Sequence, residues 1–416
     1  YSRGSNGGAG AKRPMGNESW RTVALADALT RPDLRARLAR ALDAGTLCDR
    51  CLGRLCAQVD TGMGNDQRGA AIRRTLQAAP PAGPCGICGG LFDEIDAWVE
   101  RARQALEPLE FDTLLVTSHE HSATAERERA IQELAGGDLA EPYRQEFNRL
   151  VGARLCDATG AEPDFVHPDV VILADHAEGT LTLDVRPLFV SGRYRKLVRG
   201  LPQCRWAAWP TSVQAIIGDP VREAAGGKDH LFHGCGREDT DVRCLGERPF
   251  VLEVLRPRRR RLDWAALARS IDRSGAVEVV GLGRCGAEDV ARIKSLRPDK
   301  TYRALARLAE PVADLGPLAN LAGRIRQQTP ARALRSRADR VRHRRVRSVA
   351  WKSVDARTVE IEVRTQAGLY VKELVSGDAG RTSPSVAEIL GIAAECAELD
   401  VLAIHLDDAT QPGPQS

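Results

Sequence analysis

The chain has 416 residues, 43% of them hydrophobic and 28% charged, with a formal net charge of +4. That length holds two or three domains, each with its own core, in an ordinary globular composition. No run of eighteen uncharged apolar residues exists and the N-terminus lacks the apolar stretch of a secretion signal, which excludes a spanning helix and leads us to expect a cytoplasmic chain with no membrane partner.

Residues 1–20 read as a disordered leader, with Met15 a candidate start of translation. Residues 24–46, "ALADALTRPDLRARLARALDAGT", carry helical periodicity and stop at a glycine. A cysteine region follows, from 48 to 90. "LFDEIDAWVERARQALE" (91–107) is an amphipathic helix, "FDTLLVTS" (111–118) a strand, and 124–137 and 139–160 further helices. Two strands lie within 169–192, turning near Glu178 and Gly179, and the last runs into "GRYRKLVRG" (192–200). Residues 91–212 thus read as one α/β unit. After a break at 207–230, a further block alternates strands ("FVLEVL", "AVEVVGL", "RRVRSVAWKSV", "TVEIEVRT") with helices ("WAALARSIDRS", "AEDVARIKSL", "YVKELVSGD"). Its clearest antiparallel pair is 344–365, turning at Asp355–Ala356. The end, "DDATQPGPQS", reads as a disordered tail.

Eleven cysteines, an odd number, argue against a disulfide framework and for metal binding or burial. Cys48 and Cys51 form one CxxC unit and Cys85 and Cys88 another, 33 residues apart. Two such knuckles complete a tetrahedral Cys₄ zinc site, which is closed and therefore structural. The alternative is four buried or redox thiols.

Seven of the 60 basic residues are lysine; the rest are arginine, whose planar fork matches phosphate oxygens. They cluster in 192–200, in "RPRRRRLD" (256–263) and in "RALRSRADRVRHRRVRS" (332–348). Each cluster alone reads equally as a solvated face; three together point to a polyanion, with nucleic acid the default.

The stretch "HGCGREDTDVRCLGERPF" (233–250) sets Glu238, Asp239 and Asp241 between Arg237 and Arg243 in a glycine-rich loop. Crowding by arginine disfavours binding of a second cation, such as a metal ion, by these carboxylates, and it holds an aspartate ionised. Two readings stand: a surface turn with Asp–Arg pairing, or an ionised carboxylate serving as nucleophile or electrostatic partner.

This stretch resembles the motif of the archaeal tRNA pseudouridine synthases acting on positions 54 and 55. "CDRCLGR" and "CGICGG" resemble that family's zinc-binding region, and "PLFVSGRYRKLVRGLPQCRW" (187–206) the end of its THUMP domain, an RNA-binding module. "DKTYRALARL" (299–308), "QQTPARALRSRADRVRHRRV" (327–346), "TQAGLYVKELVSGDAGRTSPSVAEIL" (365–390) and "LDVLAIH" (399–405) follow in the family's order. The resemblance implies a multidomain α+β fold. A helix and Cys₄ zinc region (24–90) precede a THUMP-type α/β domain (91–212). A catalytic domain (215–408) then carries a mixed, largely antiparallel sheet flanked by helices, before the tail 409–416.

By resemblance Asp239 is the catalytic aspartate, Lys372 the basic residue paired with it, and Tyr302 and Tyr370 contact the substrate, with Leu399 a pocket wall. Arg193, Arg195, Lys196 and Arg199 would contact tRNA backbone from the THUMP side, and Arg256 and Arg258–Arg261 near the active site. Asp241 would shape the loop by bonding to backbone amides. The substrate is uridine 54, uridine 55 or both in the tRNA T-loop. No cofactor is consumed, one structural zinc is implied, and no protein partner is required. Leu369, Leu374, Ser376 and Ala379 depart from the family pattern at the pocket edge. The competing class is a non-catalytic, zinc-dependent tRNA-binding or chaperone protein, which would not need the GRED, KTY and YVKE motifs together.

Overall fold

A computed structural model describes residues 20–406; the expected leader up to residue 19 and the expected tail lie outside them. The chain divides into two compact units at the junction of Arg186 and Pro187.

In the first unit, helices α1 (Leu25–Ala28), α2 (Pro32–Asp43), α3 (Asp49–Arg54), α4 (Asn65–Leu76), α5 (Ile95–Leu106), α6 (Ser122–Ala135) and α7 (Tyr143–Thr159) accompany a small sheet. Its strands are β1 (Thr113–Ser118), β2 (Glu162–Pro163), β3 (Val170–Asp175) and β4 (Thr180–Val185), ordered β2-β1-β3-β4. Helix α5 buries Ile95, Trp98, Ala102 and Leu106, the stripe that its periodicity predicts. The β3–β4 hairpin turns where the sequence placed it, pairing Asp175 with Thr180. One hydrophobic core runs from Trp20 to Ala174, so the cysteine region and the α/β segment share their interior. That sharing depends on close contact: a Cβ at Gly53 would lie 1.9 Å from the Asn65 carbonyl oxygen, and one at Gly69 1.7 Å from that of Asp49. Only hydrogen at both positions lets α3 and α4 cross this closely. Helix α4 was not read from the sequence, because its apolar positions are few and its buried face includes Asn65, Arg68 and Arg73.

The second unit is built on one ten-stranded sheet, ordered β13-β10-β11-β12-β9-β14-β7-β5-β8, with β6 also on β7. The strands are β5 (Leu188–Lys196), β6 (Asp229–Gly234), β7 (Arg243–Leu255), β8 (Val277–Cys285), β9 (Asp299–Leu308), β10 (Gly323–Gln328), β11 (Val341–Asp355), β12 (Thr358–Thr365), β13 (Thr382–Ser383) and β14 (Ala394–His405). The β11–β12 hairpin forms as read. The sheet is mixed and mostly antiparallel; β14 runs antiparallel to β9 but parallel to β7, at Asp400↔Arg243 and Val401↔Cys244.

The structure differs from the sequence reading at β5. The segment 188–196 lies between β7 and β8 in the large sheet, with Leu188 opposite Val254 and Phe189 opposite Cys285. It therefore belongs to the second unit. Strand propensity could not reveal this, since any free edge would have satisfied it. Across the expected break runs helix α8 (Val213–Ala225), capped by the Ser212 hydroxyl, which accepts from the Ala215 N–H. It tolerates Pro220 in its interior because Val213, Ile217, Val221 and Ala225 bury against the sheet. Helices α9 (Trp264–Asp272), α10 (Glu288–Ser295), α11 (Val371–Ser376) and α12 (Val386–Leu390) complete the unit.

Candidate active site

The loop between β6 and β7, residues 235–242, is pinned from beneath. Gly236 takes φ +79°, a conformation that costs glycine little. Glu238 and Asp239 are neighbours in the loop and point opposite ways. Glu238 is buried: it accepts a hydrogen bond from the Tyr194 hydroxyl at 2.9 Å and pairs with the fully buried Arg248 guanidinium at 3.0 Å. Arg248 also donates to the Cys235 carbonyl at 2.8 Å, and Gln203 donates to both the Tyr194 hydroxyl and the Gly236 carbonyl. Burial pushes the Tyr194 phenol far above its usual range, so it remains a donor.

Lys196 contributes from the same strand. Its ammonium donates to the carbonyls of Leu201 at 2.9 Å, Asp239 at 3.1 Å and Thr240 at 3.3 Å. It is fully buried, which corrects the expectation of a phosphate contact; burial lowers its pKa. Arg199 donates to the carbonyls of Asp241 and Leu399 and pairs with Asp400. Thus Lys196 and Arg199 of "GRYRKLVRG" hold the loop backbone, while Tyr194 holds the Glu238 side chain. Arg193, the other residue expected on RNA, pairs with Glu247 at 3.4 Å.

With its carbonyl held, the Asp239 carboxylate is turned outward and about 43% exposed. Its Oδ2 lies 2.8 Å from Arg332 Nη1 and 3.3 Å from Lys372 Nζ. Lys372, on the first turn of α11, also donates to both carboxylate oxygens of Asp241, at 2.7 and 2.8 Å. Asp241 therefore binds an ammonium where the sequence suggested backbone amides. After the cost of burial, that hydrogen bond holds its pKa below the ordinary value. Arg332 is shared with Glu373, 2.6 Å away; against burial, the two carboxylates raise its pKa. Arg243, expected beside Asp239, instead makes a bidentate pair with Asp400 at 2.8 Å through both nitrogens.

Asp239, Asp241, Arg332 and Lys372 line a cleft of about 890 Å³ within the second unit. Tyr302, on β9, lines it together with Leu399 and Val401. Burial pushes the Tyr302 phenol up to about 12, which keeps it neutral at physiological pH. Tyr370 lines the cleft too, its hydroxyl accepting from Arg337 at 2.7 Å, with that guanidinium 5.8 Å from the ring centroid. Lys300, buried and lowered in pKa by burial, also borders it. Leu369, a departure from the family pattern, sits in the wall, whereas Leu374, on the buried face of α11, is packed in the core. The basic run 256–263 does not border the cleft: the Arg258 and Arg259 amides cap α8 through the Ala225 carbonyl.

The sequence reading therefore brought together Asp239, Lys372, Tyr302, Tyr370 and Leu399, and missed Arg332 and Glu238. Arg332 is one arginine among many in its segment, and nothing local distinguishes it. The Glu238–Asp239 pair was legible in principle, since neighbours in extended chain face opposite sides.

In the first unit the sulfurs of Cys48, Cys51, Cys85 and Cys88 all lie within 4.8 Å of one another, and these residues could hold a metal ion. Cys48 Sγ and Cys88 Sγ are 3.8 Å apart, which matches the edge of a tetrahedron with metal–sulfur bonds of about 2.3 Å. The Cys51 N–H and the Arg54 guanidinium point at the Cys48 and Cys51 sulfurs, at 3.4 and 3.2 Å, and so favour thiolate charge. The Cys₄ expectation fits the observed geometry.

Comparison with known proteins agrees with this architecture. A family model described as "Pus10 THUMP domain, archaeal" matches residues 98–175, and one described as "Pus10, C-terminal" matches residues 189–405. Together they define the class, a chain joining a THUMP domain to a pseudouridine synthase-type domain. The chain is 38% identical to the tRNA pseudouridine synthase Pus10 of Methanothrix thermoacetophila, covering 89% of this chain and 94% of that one. It is also 38% identical to the same-named proteins of Halorubrum lacusprofundi, covering 89% and 96%, and Pyrococcus furiosus, covering 88% and 96%. The chain belongs to the Pus10 family. A solved Cbf5–Nop10–Gar1 complex resembles it only distantly, with a TM-score of 0.31 and 18% identity over 50% of this chain and 47% of that chain.

Proposed function

We propose that the protein isomerises uridine to pseudouridine at position 54, position 55 or both in the T-loop of tRNA, with Asp239 as the catalytic carboxylate. One observation carries the reading. A carboxylate whose own backbone is fixed by Lys196 faces a cleft between two cations, with a neutral phenol and aliphatic side chains in the same walls.

Such a reaction breaks the bond between uracil N1 and ribose C1′, rotates the base, joins C5 to C1′, and then removes the proton from C5 while N1 takes one up. Reactant and product hold the same atoms and electrons, so no redox partner is consumed. The target base must leave its stack to be reached. Tyr302 and Leu399 supply a dry face for the extruded ring, and Asp239 works at the ribose. Lys372 and Arg332 favour the ionised carboxylate and orient it. Arg337, Arg342 and Arg344 line the same cleft and suit backbone phosphates, which position the RNA without reading its sequence. A cytoplasmic place of action accords with a tRNA substrate. Cys48, Cys51, Cys85 and Cys88 would hold one zinc ion, whose part is to cross-link the first unit.

The test is to incubate unmodified tRNA transcript with the parent protein and with Asp239→Ala, then map pseudouridine by carbodiimide treatment and primer extension. We expect product at one or both T-loop positions from the parent and none from the variant. Tight binding without product from the parent would favour a non-catalytic tRNA-binding protein.

A further inference from the structure

Two tryptophans border the same cleft and have no part in the chemistry just described. Trp206 and Trp209 are 57% and 37% exposed, and both line the cleft. Among the described residues the only other exposed large aromatic side chain is Phe165, in the first unit. Burying an indole is favourable by a few kcal/mol, so two left open on one short loop invite a partner.

The loop is built to present them. The Trp209 N–H donates to the Trp206 carbonyl at 2.9 Å, closing a turn. Each end of the loop is tied down. Gln203 bonds through its side chain to the Gly236 carbonyl of the catalytic loop and through its carbonyl to the Gln214 N–H. The Val213 N–H donates to the Pro202 carbonyl at 3.0 Å. Arg205, immediately before Trp206, pairs with Asp219 of α8 at 2.5 Å and with Asp229 of β6 at 3.2 Å. The turn is thereby referenced to the same backbone that aims Asp239.

The occupant follows from charge. Arg337, Arg342 and Arg344 line the cleft with the indoles, a combination of phosphate donors and flat π faces that suits unpaired nucleic acid. Extruding one nucleotide strips its neighbours of a stacking partner, and an indole restores that contact whatever the base identity. We propose that Trp206 and Trp209 form a stacking platform for the unpaired base next to the target uridine, and so position the RNA strand for Asp239. This rests on the isomerase reading for its substrate.

The experiment crosses protein and RNA variants. Full-length parent, the double variant Trp206→Ala/Trp209→Ala, and Trp206→Phe/Trp209→Phe are each assayed on unmodified tRNA transcript. Two further transcripts carry an abasic residue immediately 5′ or immediately 3′ of the target. Steady-state turnover and filter-binding Kd are both measured at fixed salt. On intact transcript the alanine pair should raise KM and Kd by about 10-fold or more, with a smaller loss in kcat, and the phenylalanine pair should recover most of this. On one of the two abasic transcripts the alanine penalty should collapse toward one. A penalty of equal size on all three transcripts, or no penalty at all, overturns the platform. If the parent makes no pseudouridine anywhere yet Kd follows the expected pattern, the isomerase reading fails and the platform stands.

Discussion

The two units both bury charge, and they use it differently. In the first, Arg54, Glu128, Glu146, Asn65 and Arg68 form an ionic network inside the core. Arg50 joins it at the edge, 2.9 Å from Glu146. Arg54 reaches from that network to a cysteine sulfur. Burial raises the Glu146 pKa despite its cationic neighbours. In the second unit the buried ions Glu238, Arg248 and Lys196 lie directly under the loop that carries Asp239. Removing two charges from water costs several kcal/mol, which close pairing largely offsets without surplus. Neither network is therefore well explained as a source of stability. The first fixes the scaffold of a cysteine cluster; the second fixes the direction of one half-exposed carboxylate.

This contrast can be broken in several places. The largest effect should come from metal removal or Cys85→Ser. Structural zinc contributes on the order of 10 kcal/mol in small zinc domains, so the first unit should lose its cooperative transition while that of the second persists, read by calorimetry with and without chelator. An unchanged first transition would show that the thiols need no metal. Next, Asp239→Asn should abolish turnover, by at least about 10³-fold, yet shift the unfolding midpoint little, because the side chain is about 43% exposed and its carbonyl contacts persist.

Glu238→Gln should do the opposite in stability. It leaves the buried Arg248 guanidinium without its counter-charge, a loss of roughly 3–5 kcal/mol. Turnover should drop with it as the loop relaxes. A stable, fully active Glu238→Gln protein would show that the buried pair does not set the loop.

The first unit should also be the more sensitive to mild acid. His176 packs among Trp98, Tyr143 and Phe147, and burial lowers its pKa from 6.5 to about 4. The unfolded chain then binds the proton more readily than the folded one, so stability is fully present above about pH 6.5 and declines as pH falls toward 4. The shift sets an upper limit of roughly 3–4 kcal/mol, which solvent screening of the incompletely buried imidazole reduces. His176→Phe should flatten that part of the pH–stability profile of the first transition. The smallest effect should be that of Lys372→Met. Arg332 remains 2.8 Å from Asp239, so we expect a loss of about 10-fold in kcat rather than inactivity; complete loss would make Lys372 the essential cation.

Much of this was readable before any tertiary information. Most of the elements, the β11–β12 hairpin and the two cysteine knuckles follow from local periodicity and short motifs, whereas Asp239, Tyr302, Tyr370 and Lys372 were singled out by the family resemblance of the segments that carry them. Those signals are carried by residues near one another in the chain. Less local facts were not readable. Helix α8 was hidden by Pro220, whose local penalty is overridden by the apolar face buried on the sheet. The place of β5 depends on which distant edges were free to receive it.

The same division holds for the site itself. The amino-acid sequence determined which side chains were available: one carboxylate in a glycine-shaped loop, tyrosines and a lysine in apolar settings, arginines in excess. Only the folded chain decided which arginine faces Asp239, that Lys196 is a buried clamp rather than a phosphate contact, and that Arg243 belongs to Asp400. The reason is physical. Coulombic and hydrogen-bond partners are set by separations of a few ångströms, and residues 239, 332 and 372 acquire those separations only when β7, β9, β14 and α11 have packed around one core.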